Sequence, residues 1–236
     1  MALGLAAYLS ASCLRSPFQV RTSRLWDQDR LGFLVDRQAT TAAQGALVAT
    51  AAYHAIVALA LAPPRNAADL GAGVSRVCPN ASDVNPRYLS WNAYTTACLA
   101  LVLCIGAPVR LSAYSGLGPN FTFQLAKPDR LVTTGIYRYL QHPSYTGLLA
   151  LVAGLWLLFA QPDGALFGCW LSPAAGVRQW CFGGYSGVTI HLVVATTVLW
   201  KLWQRVIDEE VMLKATFGGE WEAWHKRTKR FIPGIF

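Results

Sequence analysis

The stretch YLSWNAYTTACLALVLCIGAPVRLSA, Tyr88 to Ala113, decides how this sequence is read. It is long, apolar and free of charge until Arg110. About 20 mostly apolar helical residues cross a hydrocarbon layer ~30 Å thick, so the run predicts a membrane span. Working outward, Ala43–Ala62, Pro143–Ala160 and Gly183–Trp203 read the same way. Pro143–Ala160 is short for a crossing, which a tilted or thinned boundary would accommodate. Ala2–Leu14 is shorter still and reads as a fifth span, a partly inserted anchor or a signal-peptide core; no basic residue precedes it, and the fifth span is preferred. The expected fold is all-α: a polytopic transmembrane helix bundle of four spans, five with the N-terminal one, ending in a cytosolic amphipathic helical tail. One integrated membrane domain is expected, with N-terminal membrane helices over 1–113 and a second half over 114–236.

Composition agrees. Of 236 residues, 54% are apolar and 14% charged, against about 25% charged in soluble domains. The net charge of +8 is unevenly placed. Arg15–Arg37 holds five arginines, the stretch from Arg110 to His142 four basic residues, and the tail from Lys201 to Arg230 seven; these sixteen of the chain's twenty fall on one side when loops alternate. Only Arg65, Arg76, Arg87 and Arg178 fall on the other. That asymmetry is the positive-inside pattern and puts the tail and the loop before His142 in the cytosol. No aromatic spacing of an RNA-binding sheet accompanies the basic residues, so nucleic acid is not an expected partner.

Asn80-Ala81-Ser82 is a glycosylation sequon on the expected lumenal side, whereas Asn120-Phe121-Thr122 falls on the cytosolic side and should stay bare. The six cysteines are scattered: Cys13, Cys98 and Cys104 in apolar runs, Cys78, Cys169 and Cys181 in loops. No Cys/His spacing suits zinc, and no metal is expected. Cysteines in apolar runs are read as packing residues.

Two segments carry residues unusual for membrane packing. The first runs from Asp129 to Gly147 and contains His142-Pro143. Proline favours the first position of a helix and disfavours helical geometry in its predecessor, so Pro143 should open a helix with His142 at its mouth. The first-turn amides there lack internal partners and can receive a carboxylate. A plain turn before a span explains His-Pro as well, taken alone. The second segment runs from Trp203 to Trp221. Arg205 and Glu209 stand four apart on one helix face, in the order that supports a helix less well. Charges at a membrane margin mark function by default, though a snorkelling surface pair remains the alternative. Leu213, Phe217, Trp221 and Trp224 recur at helical spacing, which suggests a tail lying on the membrane surface, and Lys226 to Arg230 suits anionic headgroups.

Together these segments resemble the C-terminal half of the isoprenylcysteine carboxyl methyltransferases and, more broadly, the membrane methyltransferases that include the phospholipid methyltransferases. The shared pattern is Leu131-Val132-x-x-Gly135-x-Tyr137, His142-Pro143-x-Tyr145-x-Gly147, then Arg205-x-x-x-Glu209-Glu210. It closes with Phe217-Gly218-x-Glu220-Trp221, Thr228 and Ile232-Pro233. One departure stands out: where the family commonly has a basic residue before His-Pro, this chain has Gln141.

The resemblance implies S-adenosyl-L-methionine as cofactor, held by Gln124, Asp129, Arg130, Leu131, Val132, Tyr137, His142, Pro143, Ser144 and Tyr145. It implies Arg205 and Glu209 as the catalytic, substrate-side pair. It further implies prenylated protein C-termini or a lipid-like acceptor as substrate, a lipid bilayer as surroundings, and a multi-pass place in the endoplasmic reticulum membrane. A prenylcysteine carboxylate is already ionised at neutral pH and needs no general base. Arg205 would fork it, Glu209 would fix the guanidinium, and the prenyl chain would enter sideways between spans. Three other readings stay open: a phospholipid amine as acceptor, a sterol-type reductase using NADPH, and a non-catalytic scaffold.

Overall fold

The computed structural model describes residues 1–14, 37–62, 71–122, 126–171 and 176–235. Among them the regular structure is helical, as expected, and the only β-type pairing is a single bridge between Leu140 and Lys229. Three helices among the described residues are long and apolar enough to cross a membrane. These are α2 (Arg37–Ala60), the rod Pro86–Asn120 containing α4 (Ala93–Ala100) and α5 (Ala107–Leu117), and α9 (Gly184–Phe217). Two shorter apolar helices accompany them, α1 (Ala2–Cys13) and α6 (Pro143–Phe159). At 1.5 Å per residue these two span roughly 18 and 25 Å.

The central rod starts where Asn92 caps it. Its side chain accepts from the Tyr94 and Thr95 amides, and the Thr95 hydroxyl accepts from the Asn92 amide in return. Between α4 and α5 the helix widens into a π turn over Leu101–Gly106. Pro108 follows at once and explains it: proline offers no amide to the ladder, and its ring crowds the carbonyl one turn back. A wider turn absorbs both without breaking the rod.

Helix α6 lies against this rod through glycines. A Cβ on Gly154 would sit 2.6 Å from Val102 Cγ2, and one on Gly147 would sit 2.7 Å from the Arg110 amide nitrogen. From the facing side, a Cβ on Gly106 would sit 2.8 Å from the Leu151 backbone nitrogen. Gly147 and Gly154 are seven apart, two turns along one face. Lipid supplies no hydrophobic drive between helices, so close backbone approach of this kind carries the packing. Helix α1 completes the layer, with Ala6 and Cys13 packed into a cluster with Cys98, Leu99, Val102 and Leu151.

Arg110 is not the loop charge its place in the sequence suggested. It sits in α5, 5% exposed, with Nε donating to the Cys13 carbonyl and Nη1 to the Ser144 carbonyl and hydroxyl. Tyr114 donates to the same Cys13 carbonyl. One buried guanidinium thus satisfies the end of α1 and ties it to the mouth of α6.

At the other end of α6, Cys78 and Cys169 form a disulfide across 91 residues. Cys169 lies in α7 (Ala165–Trp170) rather than in a loop, and Cys78 follows α3 (Gly71–Val77). The two cysteines are fully buried with Val57, Val84 and Ala165. The reading of scattered, unrelated cysteines fails for this pair, because sequence distance says nothing about distance in the fold. Cys13 and Cys98 are buried packing residues, while Cys104 faces outward.

Helix α8 (Val177–Phe182) turns into α9, which runs 34 residues, roughly 51 Å. That is well past the ~30 Å of a hydrocarbon core, so its last turns extend beyond the expected end at Trp203. Gly218, at φ 51°, breaks α9 from α10 (Gly219–Arg227). The tail packs against the rest of the fold. Leu213, Trp221 and Trp224 are buried against Ala113 and Tyr137, and Phe217, Leu131 and Val132 pack beside them.

Candidate active site

Pro143 sets the geometry at the mouth of α6. His142 leaves helical geometry at φ −124° and ψ 55°, and α6 begins at the proline. The His142 side chain is 2% exposed, with Nε2 3.3 Å from Glu210 Oε1 and Nδ1 3.7 Å from Glu209 Oε2, both on α9.

One turn into α6, the Tyr145 hydroxyl accepts from Arg205 Nε at 3.3 Å and donates to Glu209 Oε2 at 3.2 Å. The Arg205–Glu209 pair is therefore bridged by a phenol from a neighbouring helix. Its order is poor for simple helix support; the tertiary contact gives it a reason. Arg205 is 8% exposed.

Glu210 anchors the tail. Arg230 donates to it from Nε at 2.6 Å and from Nη2 at 2.8 Å, a two-armed fork. The Glu210 carboxylate holds the Arg230 guanidinium above its ordinary range, and the Arg230 cation also lies 5.4 Å from the centre of the Trp203 ring. Arg230, read from sequence as part of a headgroup-binding run, is thus committed inward. Backbone pairing reinforces it: the Gln141 amide donates to the Lys229 carbonyl at 2.8 Å, and the His142 amide to the Arg230 carbonyl at 3.0 Å.

Gln141 has a complete set of partners. Its Nε2 donates to the Thr228 carbonyl and hydroxyl, both at 3.0 Å, and to the His225 carbonyl at 3.2 Å. Its Oε1 lies 2.9 Å from His225 Nδ1. A neutral amide at this position welds the loop to the tail, where a charge would have to be buried. His225 stacks on Trp221, ring centres 4.5 Å apart. Burial pushes the His225 imidazole below its usual range; the Glu210 charge opposes the shift, and Arg230, His142 and Lys214 reinforce it.

The remaining expected residues divide into two groups. Tyr137 is buried, donates to the Ala113 carbonyl at 3.3 Å, and accepts on its own carbonyl from Trp224 Nε1 at 2.9 Å. Burial first, then nearby Glu209, raises its phenol and keeps it neutral. Leu131 and Val132 pack against the Trp221–Trp224 cluster. Ser144 is engaged by Arg110. Asp129 and Arg130 lie at the exposed edge, the Asp129 amide donating to Asn120 Oδ1 at 3.2 Å. Gln124 lies outside the described residues. The fold therefore gathers Tyr137, His142, Pro143, Tyr145, Arg205 and Glu209, and leaves Asp129 and Arg130 at the rim.

Sequence reasoning passed over Glu210, Arg230 and Thr228 as site-supporting residues. Glu210 stood in the quoted pattern beside Glu209; Arg230 was hidden among four neighbouring basic or polar residues.

Two buried polar atoms around the loop, His142 Nδ1 and Trp221 Nε1, have no hydrogen-bond partner among the described residues. An apolar cleft of about 660 Å³ opens between α6 and α9, lined by Tyr145, Leu149, Leu199, Trp200, Trp203 and Phe231. Thr146 and Thr196 also line it, and the Tyr145 hydroxyl accepts from Arg205.

Comparison with known proteins finds matches over part of the chain. Residues 97–174, from α4 through the loop and α6, match the model of the isoprenylcysteine carboxyl methyltransferase family. A Schizosaccharomyces pombe protein described as protein-S-isoprenylcysteine O-methyltransferase is 31% identical over 150 residues, covering 61% of this chain and 52% of that protein. A Dictyostelium discoideum protein of the same description is 29% identical over 140 residues, covering 58% and 48%. A probable protein-S-isoprenylcysteine O-methyltransferase of Oryza sativa subsp. japonica is 24% identical over 140 residues, covering 57% and 59%. The chain spans about half the length of the curated relatives it matches. Over residues 97–174 the chain is thus similar to the isoprenylcysteine carboxyl methyltransferase family, and over about 60% of its length to proteins of that description.

Proposed function

We propose that this chain is a protein-S-isoprenylcysteine O-methyltransferase, which methyl-esterifies the C-terminal carboxylate of prenylated proteins with S-adenosyl-L-methionine as donor. The observation that carries the reading is the cleft between α6 and α9. It is mostly apolar, suited to a prenyl chain, and Tyr145 in its lining accepts a hydrogen bond from Arg205.

When bound, the cofactor supplies a methyl group on a sulfonium, an electrophile. His142 Nδ1 and Trp221 Nε1, buried and without a hydrogen-bond partner among the described residues, fit a polar ligand at the loop, and Leu131, Val132, Tyr137 and the start of α6 would hold it beside them. Asp129, Arg130 and Gln124 would form its outer rim. Arg205 offers guanidinium donors to the substrate carboxylate. Tyr145 and Glu209 fix the plane of that guanidinium. No side chain takes a proton, since the attacking carboxylate oxygen is already ionised. The work left to the protein is alignment, which is worth several kcal/mol by itself.

The same reading takes α1, α2, the α4–α5 rod, α6 and α9 as five crossings of the endoplasmic reticulum membrane, with the active site and tail in the cytosol. The basic residues crowd on that side. The Cys78–Cys169 disulfide joins two connections that this topology assigns to the opposite side, and disulfides persist in oxidising compartments.

Membranes carrying the chain, given labelled S-adenosyl-L-methionine with a farnesylcysteine analogue or with phosphatidylethanolamine, test the proposal. A base-labile labelled ester on the farnesylcysteine analogue is expected. Label on the phospholipid amine instead would reassign the acceptor, and label on neither would remove the activity.

A further inference from the structure

The motif that the active site does not absorb is the sequon Asn80-Ala81-Ser82, and it lies two residues from the disulfide. Both the backbone amide and the side-chain Nδ2 of Asn80 donate to the Cys169 carbonyl, at 3.2 and 3.0 Å. The Asn80 carbonyl accepts from the Asp83 amide at 2.9 Å, which closes a tight turn over Ala81–Asp83. Further along, Asn85 repeats the attachment: its amide donates to the Asp163 carbonyl at 2.8 Å and its side chain to Asp163 Oδ2 at 3.0 Å. Val84 and Cys78 are buried against the same short helix, α7. Residues 78–85 are therefore clasped along 163–169 by one covalent bond and four hydrogen bonds.

N-glycosylation joins C1 of a sugar to the asparagine Nδ2. That nitrogen loses one proton, and the diphosphate leaves with the lipid carrier of the oligosaccharide donor. The nitrogen must be presented on an accessible, deformable loop. In the clasped fold it is half-buried, 3.0 Å from a carbonyl and fixed within a turn.

We propose that Asn80 is a conditional glycosylation site governed by the Cys78–Cys169 pair. The closed disulfide withholds the amide and leaves it bare; without the disulfide the amide is surrendered to the lipid-linked oligosaccharide diphosphate. The glycan and the clasp are mutually exclusive states of one molecule. The proposal rests on the topology given above, in which residues 78–85 face the lumen, and it is independent of the methyl acceptor.

The test expresses the full chain in cells that glycosylate, as wild type, Cys169→Ser, and Cys169→Ser combined with Asn80→Gln. Endoglycosidase-sensitive mobility is read on gels, and the bonding state by alkylation before and after reduction. The wild type is expected oxidised and bare. Cys169→Ser is expected to gain one sensitive shift, which the added Asn80→Gln removes. Adding thiol reductant to wild-type cells during synthesis should produce the same shift without any substitution, so a variant that merely misfolds does not decide the result. Retained methyl transfer in Cys169→Ser membranes checks that the rest of the fold stands.

A peptide bearing both the glycan and the intact disulfide would overturn the proposal. So would an unshifted Cys169→Ser whose Cys78 reacts with an impermeant maleimide only after the lumen is opened. If Cys78 instead reacts from the cytosolic face of sealed membranes, the topology itself fails, and the inference with it.

Discussion

Tyr145 links the two halves of the proposed site, since its hydroxyl joins Arg205 and Glu209 through one atom from another helix. Its hydroxyl makes hydrogen bonds to charged partners on both sides, and such bonds are worth about 1.5–3 kcal/mol each. Tyr145→Phe keeps the ring in the cleft wall and removes only the link. Turnover on a farnesylcysteine analogue should fall roughly ten- to a hundredfold by that magnitude, while calorimetric titration with S-adenosylhomocysteine should be little changed. Arg205→Lys keeps a charge but loses the planar fork. Its kcat should drop by at least about tenfold, the cost of one such bond, and wild-type turnover in that variant would sink the assignment of Arg205. Gln141 acts on stability instead. With its amide fully partnered and 5% exposed, Gln141→Leu strands the Thr228 carbonyl and the His225 ring. It should cost about 1–3 kcal/mol, seen as a lower melting temperature in detergent.

At the level of elements, the α6–rod contact is built from backbone proximity rather than side-chain volume. Gly154→Leu would drive its Cβ to 2.6 Å from Val102; overpacking of this kind costs about 1–3 kcal/mol, or more where backbone must move. Thermal unfolding should show the loss, and Gly4→Ala, at a position with nothing within 4 Å, should not. Helix α10 carries a pH dependence. Burial holds the His225 imidazole below its usual value of 6.5, so the unfolded chain takes up a proton there before the folded one does. The contribution is complete above about pH 6.5 and is lost as pH falls from there through the folded value. The docked tail should therefore resist proteolysis at pH 7.5 and yield progressively below pH 6.5. His225→Phe, which keeps the stack on Trp221, should flatten that profile.

For the molecule as a whole, the two ends of α6 perform separate tasks. One end gathers His142, Tyr145, Arg205, Glu209 and Glu210; the other meets the disulfide clasp, roughly 25 Å away along the helix. Cys78→Ser releases a closed loop of 91 residues, and losing a native disulfide costs about 2–5 kcal/mol. A lower melting temperature is expected with methyl transfer retained at low temperature. Equal stability of the oxidised and reduced chains would contradict the clasp as a structural element.

The amino-acid sequence by itself determined the helical class and singled out the residues proposed for the site. Apolar runs long enough for lipid, the placement of basic residues, and the His-Pro and Arg-x-x-x-Glu spacings are local properties, and local periodicity and charge survive into any fold the chain adopts. What the tertiary structure alone decided are the contacts between distant segments. Arg110 turned from a loop charge into a buried tie between α1 and α6, Arg230 from a surface cation into the partner of Glu210, and Cys78 and Cys169 from scattered thiols into a bond. Each is a group whose partner stands 20 to 97 residues away. Nothing in a residue's immediate neighbourhood specifies which remote carboxylate, carbonyl or thiol folding will bring to it; burial then makes that partner obligatory, because an unpaired polar group inside the protein is costly.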